Sequence, residues 1–323
     1  MKAIVLDRNG GPEVLVSREI PRPELGAGEA LVRLEAIGIN YIDVYYRTGA
    51  YPAPKFPFVL GQEAAGVVES VGDGVMTLRV GDRVAYQGIT GSYAEYAVVP
   101  AARLVSVPDD VTTRAAAAIM LQGMTAHYLV NSTFALKAGD VALVHAGAGG
   151  VGLLLTQLAK AKGARVIATV STAEKAELSR RAGADLVVRY TSQDFVAEAR
   201  AFTAGRGVDV AYDSVGKTTW QGSIDSLRPR GSFVLFGASS GPMPPLDFQV
   251  LNAKGSLFAT RPSLIHYVAT REELTERAAS LFANVLAGEL ELRIEHTYPL
   301  ADAARAHIDL QARATTGKIL LLP

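Results

Sequence analysis

The alternation of apolar and polar residues over roughly the first 120 positions predicts short β-strands. The apolar runs are separated by turn sequences rich in glycine and proline, such as Gly10-Gly11-Pro12. The predicted strands are Lys2–Leu6, Val14–Val16, Glu29–Ala36, Ala64–Val71, Arg83–Ala85 and Tyr93–Val99. Their spacing predicts a small all-β or barrel-like unit. An alanine-rich stretch, Thr112–Met120, predicts a helix at the end of this unit.

From about residue 122 onward, strand-like runs alternate with helical ones. The predicted strands are Val141–His145, Arg165–Val170, Leu186–Arg189, Val208–Asp213, Ser232–Gly237 and, at the sheet edge, Ser256–Thr260. The predicted helices between them are Val151–Lys162, Ala173–Ala182, Asp194–Thr203 and Thr219–Leu227. Such alternation predicts parallel strands joined by right-handed crossovers, which is the doubly wound α/β class.

The remaining residues change pattern again. Helices are predicted for Thr270–Gly288 and Ala301–Arg313, and strands for Arg293–Leu300 and Lys318–Leu322. At roughly 100–200 residues per domain, a chain of this length predicts two domains.

Composition narrows the function classes. The 323 residues contain 32 Lys plus Arg, 32 Asp plus Glu and no cysteine. A zero net charge argues against nucleic acid or an anionic membrane as a partner. The lack of cysteine excludes disulfides, thiol nucleophiles and thiolate-bound metals. No apolar run approaches the roughly 20 residues of a membrane span, and the N-terminal segment does not have the pattern of a signal peptide, so the expected location is cytoplasmic.

The spacing G-x-G-x-x-G occurs at Gly147, Gly149 and Gly152, after a predicted strand and at the start of a predicted helix. In dinucleotide-binding loops one glycine makes the turn, one lets the backbone approach the pyrophosphate, and one allows close helix–strand packing. The amides at the helix start then bind the phosphates. The alternative is a tight turn in an α/β protein without a cofactor. Because strand, loop, helix and second strand follow in order, the motif predicts dinucleotide binding.

The residues after the second strand distinguish the two nicotinamide cofactors. NAD sites carry an acid about 20 residues past the glycines, whereas this strand is followed by Ser171, Thr172 and Lys175. Two hydroxyls and a lysine can bind a 2′-phosphate, so NADP(H) is predicted. The alternative is that Ser171 caps the next helix and Lys175 is a solvated surface residue.

Three segments, Gly38–Asp43, Leu60–Val68 and Val80–Val84, resemble the medium-chain dehydrogenase/reductase superfamily. In its zinc alcohol dehydrogenases, a Cys stands near the position of Asn40, and a His stands at that of Gln62. Asn and Gln amides are poor zinc ligands, and Glu63 alone is not a site. We therefore expect no metal.

Further segments make the chain similar, essentially end to end, to quinone oxidoreductases of the zeta-crystallin type. They are Gly10–Leu15, Ala211–Gly216, Phe236–Gly241, Thr260–Leu264 and Arg313–Gly317. One departure is Gly147, where that branch commonly has Ala. The resemblance implies a GroES-like β-barrel catalytic domain over residues 1–120, a Rossmann NADP(H)-binding domain over 121–260, and a return to the catalytic domain over 261–323. It also implies a homodimer joined at the Ser256–Thr260 edge.

The resemblance also implies site residues. On the nicotinamide side these are Asn40, Tyr41, Ile42, Asp43, Tyr45, Thr125 and Tyr128, the last two at the start of the linking helix. It implies that the pyrophosphate is bound by Gly150 and Val151 together with the three motif glycines. It implies that the 2′-phosphate is bound by Ser171, Thr172, Lys175 and Tyr190. Further cofactor contacts are Ser214, Phe236, Gly237, Ala238, Ser239, Ser240, Phe258, Thr260, Arg261 and Arg313. Candidates for hydrogen bonds to the acceptor oxygen are Asn40, Tyr45 and Tyr51.

Several of these residues also have ordinary structural interpretations. Tyr45 and Tyr51 could be packing aromatics, Asp43 a helix or turn cap, and Arg261 one half of a surface ion pair.

The expected activity is NADPH-dependent, zinc-independent reduction of quinones or related conjugated carbonyls. Hydride transfer to a conjugated acceptor gives a delocalised anion that hydrogen bonds can stabilise. The nearest alternative is an alkenal or enoyl reductase acting on an activated C=C bond. The non-enzymatic alternative is a crystallin-like or RNA-binding protein.

Overall fold

The computed structural model describes residues 1–53 and 55–323. It divides into two compact units, one of Met1–Met124 with Val268–Pro323 and one of Thr125–Tyr267. None of the helices in the described part of the chain is both long and apolar enough to cross a membrane.

The strands are β1 Lys2–Leu6, β2 Val16–Glu19, β3 Glu29–Ile39, β4 Phe58–Val59, β5 Glu63–Val71, β6 Arg83–Gln87, β7 Tyr96–Pro100, β8 Val105–Ser106, β9 Val141–Val144, β10 Arg165–Val170, β11 Leu186–Arg189, β12 Val208–Asp213, β13 Leu227–Leu235, β14 Phe258–Thr260, β15 Ile294–Pro299 and β16 Lys318–Leu322. The helices are α1 Tyr41–Thr48, α2 Thr113–Tyr128, α3 Gly150–Ala161, α4 Ala173–Arg181, α5 Phe195–Phe202, α6 Trp220–Asp225, α7 Phe248–Ala253, α8 Arg271–Leu286 and α9 Ala303–Gln311.

The first unit is built around β3. One edge of this strand pairs with β5, and the other is shared by β7, along Glu29–Arg33, and β16, along Ile37–Ile39. The resulting seven-stranded sheet has the order β15-β16-β3-β5-β6-β8 with β7 beside β3, and a three-stranded sheet has the order β2-β1-β4. Buried side chains of β3 and β16, such as Val32 and Leu321, belong to one apolar core. Residues near the end of the chain therefore complete a sheet that begins near its start.

The second unit is the predicted doubly wound sheet. Its six strands have the order β11-β10-β9-β12-β13-β14, and every neighbouring pair is parallel. Apolar side chains of β9, β10 and β13, including Leu143, Ile167 and Phe233, share a second core. The strand order reverses beside β9, and ligands of such sheets bind at this point, outside the carboxyl ends of the strands.

Some sequence-based boundaries were wrong. The predicted strand Val14–Val16 is in part a 3₁₀ turn over Pro12–Val14, because proline fixes φ and cannot donate to a sheet. The helix predicted over Thr112–Met120 continues to Tyr128. Two short helices, α1 and α7, had not been predicted at all.

Candidate active site

The glycine loop lies between β9 and α3 and folds as the motif requires, with one difference. The left-handed turn is made by Ala146, with φ 52°, rather than by a glycine. Gly147 allows close approach to the next strand, because a Cβ there would lie 2.7 Å from the Ala168 Cβ. A Cβ on Gly152 would lie 2.3 Å from the Ala146 carbonyl oxygen, so α3 can pack against the loop only with glycine at this position.

Gly149 caps the N-terminus of α3, which begins at Gly150. The first amides of a helix have no carbonyl acceptor within it, and they lie at the positive end of its dipole. Gly150 and Val151, predicted to contact the pyrophosphate, are the first two residues of the helix. The loop is therefore suited to bind a phosphate group.

The residues predicted for the 2′-phosphate come together at the ends of β10 and β11. Val170 pairs with Arg189 in register, so the following residues, Ser171 and Tyr190, are neighbours. Tyr190 donates its N–H to the Val170 carbonyl at 3.1 Å. No acid ends β10, so no carboxylate stands where NAD sites use one to bind the ribose 2′-hydroxyl.

The cap of α4 is Thr172, whose side chain accepts the N–H of Lys175 at 3.3 Å. The alternative that Ser171 caps the helix is therefore wrong. Lys175, in the first turn of α4, is half-buried rather than fully solvated.

The loops after β12 and β13 pack against each other at the same sheet edge. The Asp213 carboxylate, at the end of β12, accepts the Gly216 N–H at 2.9 Å and thereby fixes the turn that contains Ser214. A Cβ on Gly237 would lie 2.5 Å from the Ser214 carbonyl oxygen. Only glycine lets these two loops approach so closely. The predicted contact segment Phe236–Ser240 begins directly after β13.

The last strand brings only some of its predicted residues to this edge. Thr260 ends β14 and Arg261 follows it, whereas Phe258 opens the strand opposite Ser232. Phe258 is 65% exposed. Thr260 and Arg261 therefore lie at the carboxyl edge, and Phe258 lies toward the other end of its strand.

Thr125 and Tyr128 lie in the last turn of α2, not at the start of a helix as expected from the sequence. Tyr128 is buried, and its ring stacks on Tyr267 with centroids 4.3 Å apart and an interplanar angle of 6°. Burial raises the pKa of Tyr128; Tyr267 raises it further, and the charge of Arg261 opposes this rise.

Helix α1 carries an aromatic cluster in the first unit. The ring of Tyr45 lies 5.6 Å from that of Tyr41 and 5.0 Å from that of Tyr51. All of these side chains are half-buried. Burial raises the pKa of the Tyr41 hydroxyl, and the charge of Arg313 opposes this rise. Arg313 is therefore within electrostatic range of Tyr41. The three tyrosine rings form an aromatic surface able to hold a planar acceptor.

The N-terminus of α1 is held by a capping box. Asn40 is the N-cap, and its backbone N–H donates to the Asp43 Oδ2 at 2.8 Å. Asp43 is thus a helix cap, but it is also completely buried. Burial raises the pKa of Asp43 to about 7, against the lowering effect of hydrogen bonds from Asn40 and Tyr93.

A chain of hydrogen bonds that sequence analysis had not predicted links Asp43 to α9. The Arg47 Nη1 can only donate, and it lies 3.1 Å from the His307 Nδ1, so the His307 Nδ1 accepts. The His307 Nε2–H therefore donates to the Tyr93 hydroxyl at 3.0 Å, and Tyr93 donates to the Asp43 Oδ2 at 3.0 Å. Burial and the Arg47 charge lower the pKa of His307 to about 3, which keeps the ring neutral.

The Asn40 side chain is engaged on both sides. Its Nδ2 donates to the Glu63 Oε2 at 2.7 Å, and its Oδ1 accepts from the Lys318 Nζ at 3.0 Å and from the Gln122 Nε2 at 3.1 Å. Lys318 also forms a short ion pair with Glu63. No sequence signal links Glu63 to Lys318, because 255 positions separate them.

Residues 26–109 match the family model described as the alcohol dehydrogenase GroES-like domain, and residues 150–284 match that of the zinc-binding dehydrogenases. The chain is 46% identical over 323 residues to a quinone oxidoreductase of Pseudomonas aeruginosa, covering 100% of this chain and 99% of the relative. The chain belongs to the quinone oxidoreductases of the medium-chain dehydrogenase/reductase superfamily.

Two further members of this superfamily are informative. The structure of Escherichia coli quinone oxidoreductase in complex with NADPH has a TM-score of 0.98 at 44% identity, covering 100% of both chains. A 2-haloacrylate reductase of a Burkholderia species is 44% identical, covering 99% of this chain and 98% of the relative. The predicted family and the predicted fold, a GroES-like domain with a Rossmann sheet, are confirmed.

The description of one matched family model implies zinc, which the residues of this quinone oxidoreductase do not fit. At Asn40 and Glu63, two positions where a cation would need donor atoms, the ammonium group of Lys318 already bonds to both side chains. Gln62 donates its Nε2 to the Thr90 hydroxyl at 2.6 Å instead. The described residues include no cluster of three or more His, Asp or Glu side chains able to hold a metal.

Proposed function

We propose that the protein reduces quinones with NADPH. The observation that carries the proposal is the pairing of a phosphate-binding glycine loop with the residues Ser171, Thr172 and Lys175 where NAD sites have an acid. The names of its relatives support the same activity, and one of them was solved in complex with NADPH.

The second unit offers a cradle for the cofactor at the carboxyl edge of its sheet. Amides at the start of α3 would hold the pyrophosphate, and Lys175 with the neighbouring hydroxyls would hold the 2′-phosphate. The absence of side chains at Gly152 and Gly237 lets the loops pack tightly enough to form this edge. When bound, NADPH supplies a hydride.

We assign the acceptor contacts to Tyr45 and Tyr51. Asn40, the third candidate, already uses both polar groups of its side chain within the protein. The tyrosine rings offer stacking surface to a planar acceptor, and a hydroxyl can donate to an oxygen that becomes negative. Their main task is to hold and orient the acceptor.

A second candidate function is reduction of an activated C=C bond, such as that of an alkenal or an enoyl compound. The sequence similarity to a 2-haloacrylate reductase favours this second function. Both reactions place negative charge on a conjugated system, so they make the same demands on the site. Turnover of 9,10-phenanthrenequinone and of 2-alkenals under identical conditions separates the two.

The first experiment is a fluorescence titration with NADPH and NADH side by side, followed by the acceptor comparison. We expect much tighter binding of NADPH, and faster turnover of the quinone than of the alkenal. Equal affinities would remove the 2′-phosphate argument, and binding of neither cofactor would contradict the proposed activity as a whole.

We further propose a cytoplasmic homodimer joined along β14. All three residues of this strand are exposed, and an unpaired strand at a sheet edge is a ready template for another strand. Phe258 and Ile265, near this edge, expose 65% and 60% of their surface. A cavity of about 290 Å³ opens beside Phe258 and is lined by residues such as Ser132, Thr260 and Tyr267.

A further inference from the structure

We propose that His145 is a positioning residue for the cofactor, whose buried imidazole joins the glycine loop after β9 to the loop after β12. Through this link it holds Ala146 in the left-handed conformation that shapes the glycine loop. The inference rests on the proposed function, because it requires that this loop binds the pyrophosphate of NADPH. None of the side chains in the link, those of His145, Thr169, Ser223 and Asp213, was predicted from the sequence to bind the cofactor.

The link lies entirely inside the second unit. His145 is 2% exposed, and Thr169, Ser223 and Asp213 are each 1% exposed or less. The His145 Nδ1 lies 2.9 Å from the Thr169 hydroxyl oxygen, and the Nε2 lies 3.0 Å from that of Ser223. The Ser223 hydroxyl donates to the Asp213 Oδ2 at 2.7 Å. The link therefore joins the carboxyl ends of three neighbouring strands, β10, β9 and β12, through helix α6.

The hydrogen bonds of the link have one consistent direction. The single proton of the Ser223 hydroxyl is donated to Asp213, so the Ser223 oxygen accepts from the His145 Nε2–H. Burial lowers the pKa of His145, against the raising effect of the Asp213 charge, so the ring is neutral. Its Nδ1 then carries no proton and accepts from the Thr169 hydroxyl. Both ring nitrogens are satisfied, which locks the imidazole in one tautomer and one orientation.

At its far end the link fixes the loop after β12. The Asp213 Oδ1 accepts the N–H groups of Val215 and Gly216 at 2.8 Å and 2.9 Å. The Thr219 hydroxyl lies within hydrogen-bond distance of both carboxylate oxygens, at 2.8 Å and 2.7 Å. The turn held in this way contains Ser214, one of the predicted cofactor contacts. A displaced Asp213 carboxylate would therefore displace this turn.

At its near end the link adjoins the left-handed turn of the glycine loop. Ala146 directly follows His145 and has φ 52°, a conformation that is unfavourable for a residue with a Cβ and persists only where its surroundings fix it. Both flanking residues are held. The His145 N–H donates to the Tyr212 carbonyl at 3.1 Å, and the Gly147 N–H donates to the Thr169 carbonyl at 3.0 Å. The imidazole adds a side-chain anchor to the first of these contacts.

The place of the link in the sheet makes it relevant to the cofactor. The strand order reverses beside β9, and ligands of such sheets bind outside the carboxyl ends of the strands at this point. Directional hydrogen bonds fix the relative positions of these strand ends more uniquely than an apolar contact would. A loop that already has its final shape loses less conformational freedom when the pyrophosphate binds.

The test compares two fully buried serines one helical turn apart. Ser223 belongs to the link, whereas the Ser226 hydroxyl donates to the Gly222 carbonyl at 2.8 Å. Ser223→Ala leaves the His145 Nε2–H without its acceptor, and we expect about tenfold weaker binding of NADPH. NADH should lose the same factor, because both cofactors contain the pyrophosphate. Ser226→Ala should lower stability but leave both affinities unchanged. Isothermal titration of each variant with each cofactor measures these effects.

A second background separates the shape of the loop from general damage. Glycine adopts the left-handed conformation freely, so in Ala146→Gly this turn no longer depends on the link. Adding Ser223→Ala to Ala146→Gly should therefore weaken NADPH binding by less than about threefold, against about tenfold when Ala146 is present. A merely structural role of the hydroxyl would give the same loss in both backgrounds, because glycine restores no hydrogen bond.

A readout independent of the cofactor is the tautomer of His145. In protein made with isotope-labelled histidine, nuclear magnetic resonance should show the Nε2–H form for the signal that is missing from His145→Gln. In Ser223→Ala this signal should shift toward the other tautomer, since Nε2–H has lost its acceptor. If Ser223→Ala does not fold, Thr169→Val, which removes the other partner of the imidazole, replaces it in the affinity comparison with the same expected loss.

The inference is overturned if Ser223→Ala binds NADPH as tightly as Ser226→Ala, if the Ala146→Gly background does not reduce the loss, or if His145 carries its proton on Nδ1. A wild-type protein that binds NADPH but reduces no quinone would contradict the proposed function alone, because none of these measurements requires turnover. A wild-type protein that binds neither cofactor would overturn both.

Discussion

Asp43 and Glu63 are two fully buried carboxylates of the first unit, and their neighbours differ. Glu63 has an ammonium group in direct contact, whereas Asp43 has only neutral donors, the Asn40 N–H and the Tyr93 hydroxyl. Its second oxygen, Oδ1, has no hydrogen-bond partner among the described residues. A carboxyl group in such a place is expected to hold its proton to unusually high pH.

This difference predicts a pH dependence of stability. The pKa of Asp43 is about 7 in the folded protein, raised by burial from an ordinary value of 3.8. Between these values the folded state binds the extra proton, so stability falls as the pH rises, by about 1.4 kcal/mol per pH unit. In Asp43→Asn this contribution should vanish, because the amide oxygen still accepts both bonds and carries no charge.

Urea unfolding at pH 5 and pH 7 measures the effect as the difference between wild type and variant. Asp110→Asn, which changes an exposed acid, is the matched control. Its free energy of unfolding should depend on pH as steeply as that of the wild type. If Asp43→Asn and wild type lose stability in parallel over this range, the buried acid does not titrate there.

Lys175 makes a prediction about cofactor choice. Lys175→Ala should weaken NADPH binding by about 1.5–3 kcal/mol, the usual loss for a hydrogen bond to a charged group, and should leave NADH binding unchanged. Isothermal titration with each cofactor measures both. Lys162→Ala, at the exposed end of α3 away from the glycine loop, is the control. Equal losses for the two cofactors would mean that Lys175 does not contact the phosphate.

The residues of the candidate site differ in how far the sequence could predict them. Ser171, Thr172 and Lys175 lie within one strand–helix connection, so their spacing alone brought them together. The pair of Glu63 and Lys318, like that of Arg47 and His307, joins positions more than 250 residues apart. No local pattern contains such contacts, because only the folded sheet brings the tail beside β3.

At the scale of elements, the buried parallel strands were the most predictable. The bounds of β10, β11 and β12 match the prediction. For β10 and β12 the reason is that long apolar runs mark strands buried on both faces, whereas β11 is a partly buried edge strand. Helix α1 was missed, since Tyr41–Thr48 is rich in aromatic residues and contains Val44, all weak helix formers. Its start is set by Asn40 and Asp43 and its end by Gly49 at φ 81°.

The glycine loop makes the prediction at this scale. In Gly152→Ala the new Cβ would meet the Ala146 carbonyl oxygen at 2.3 Å, a backbone atom that cannot move aside without shifting the loop. We expect a loss of about 1–3 kcal/mol in unfolding free energy and a further loss of NADPH affinity.

The neighbouring Gly149→Ala is the comparison, because its Cβ would lie 3.2 Å from the same oxygen and its backbone conformation suits any residue. Chemical unfolding and an NADPH titration of both variants measure the difference. If Gly152→Ala is no less stable than Gly149→Ala, close packing is not the reason for glycine at position 152.

At the scale of the whole molecule, β14 is the edge strand along which we propose that two copies of the chain pair. Phe258→Asp places a charge on the exposed edge strand, and it should convert the proposed dimer into a monomer in light scattering after size exclusion. Met76→Asp, at a residue 92% exposed in the first unit, is the control and should stay dimeric. A monomeric wild type, or a dimeric Phe258→Asp, would contradict an interface at this edge.

The course of β3 has a consequence for how the chain is made. Its edge beside Ile37–Ile39 is covered by β16, which leaves the ribosome after the whole second unit. At a translation rate of about 5–20 residues per second, this edge of β3 remains unpaired for roughly 10–50 seconds before β16 is synthesised. The second unit, continuous in sequence, can fold within this interval. The sheet of the first unit is therefore completed only after the second unit has been made, and until then the edge of β3 is open to pairing with other strands.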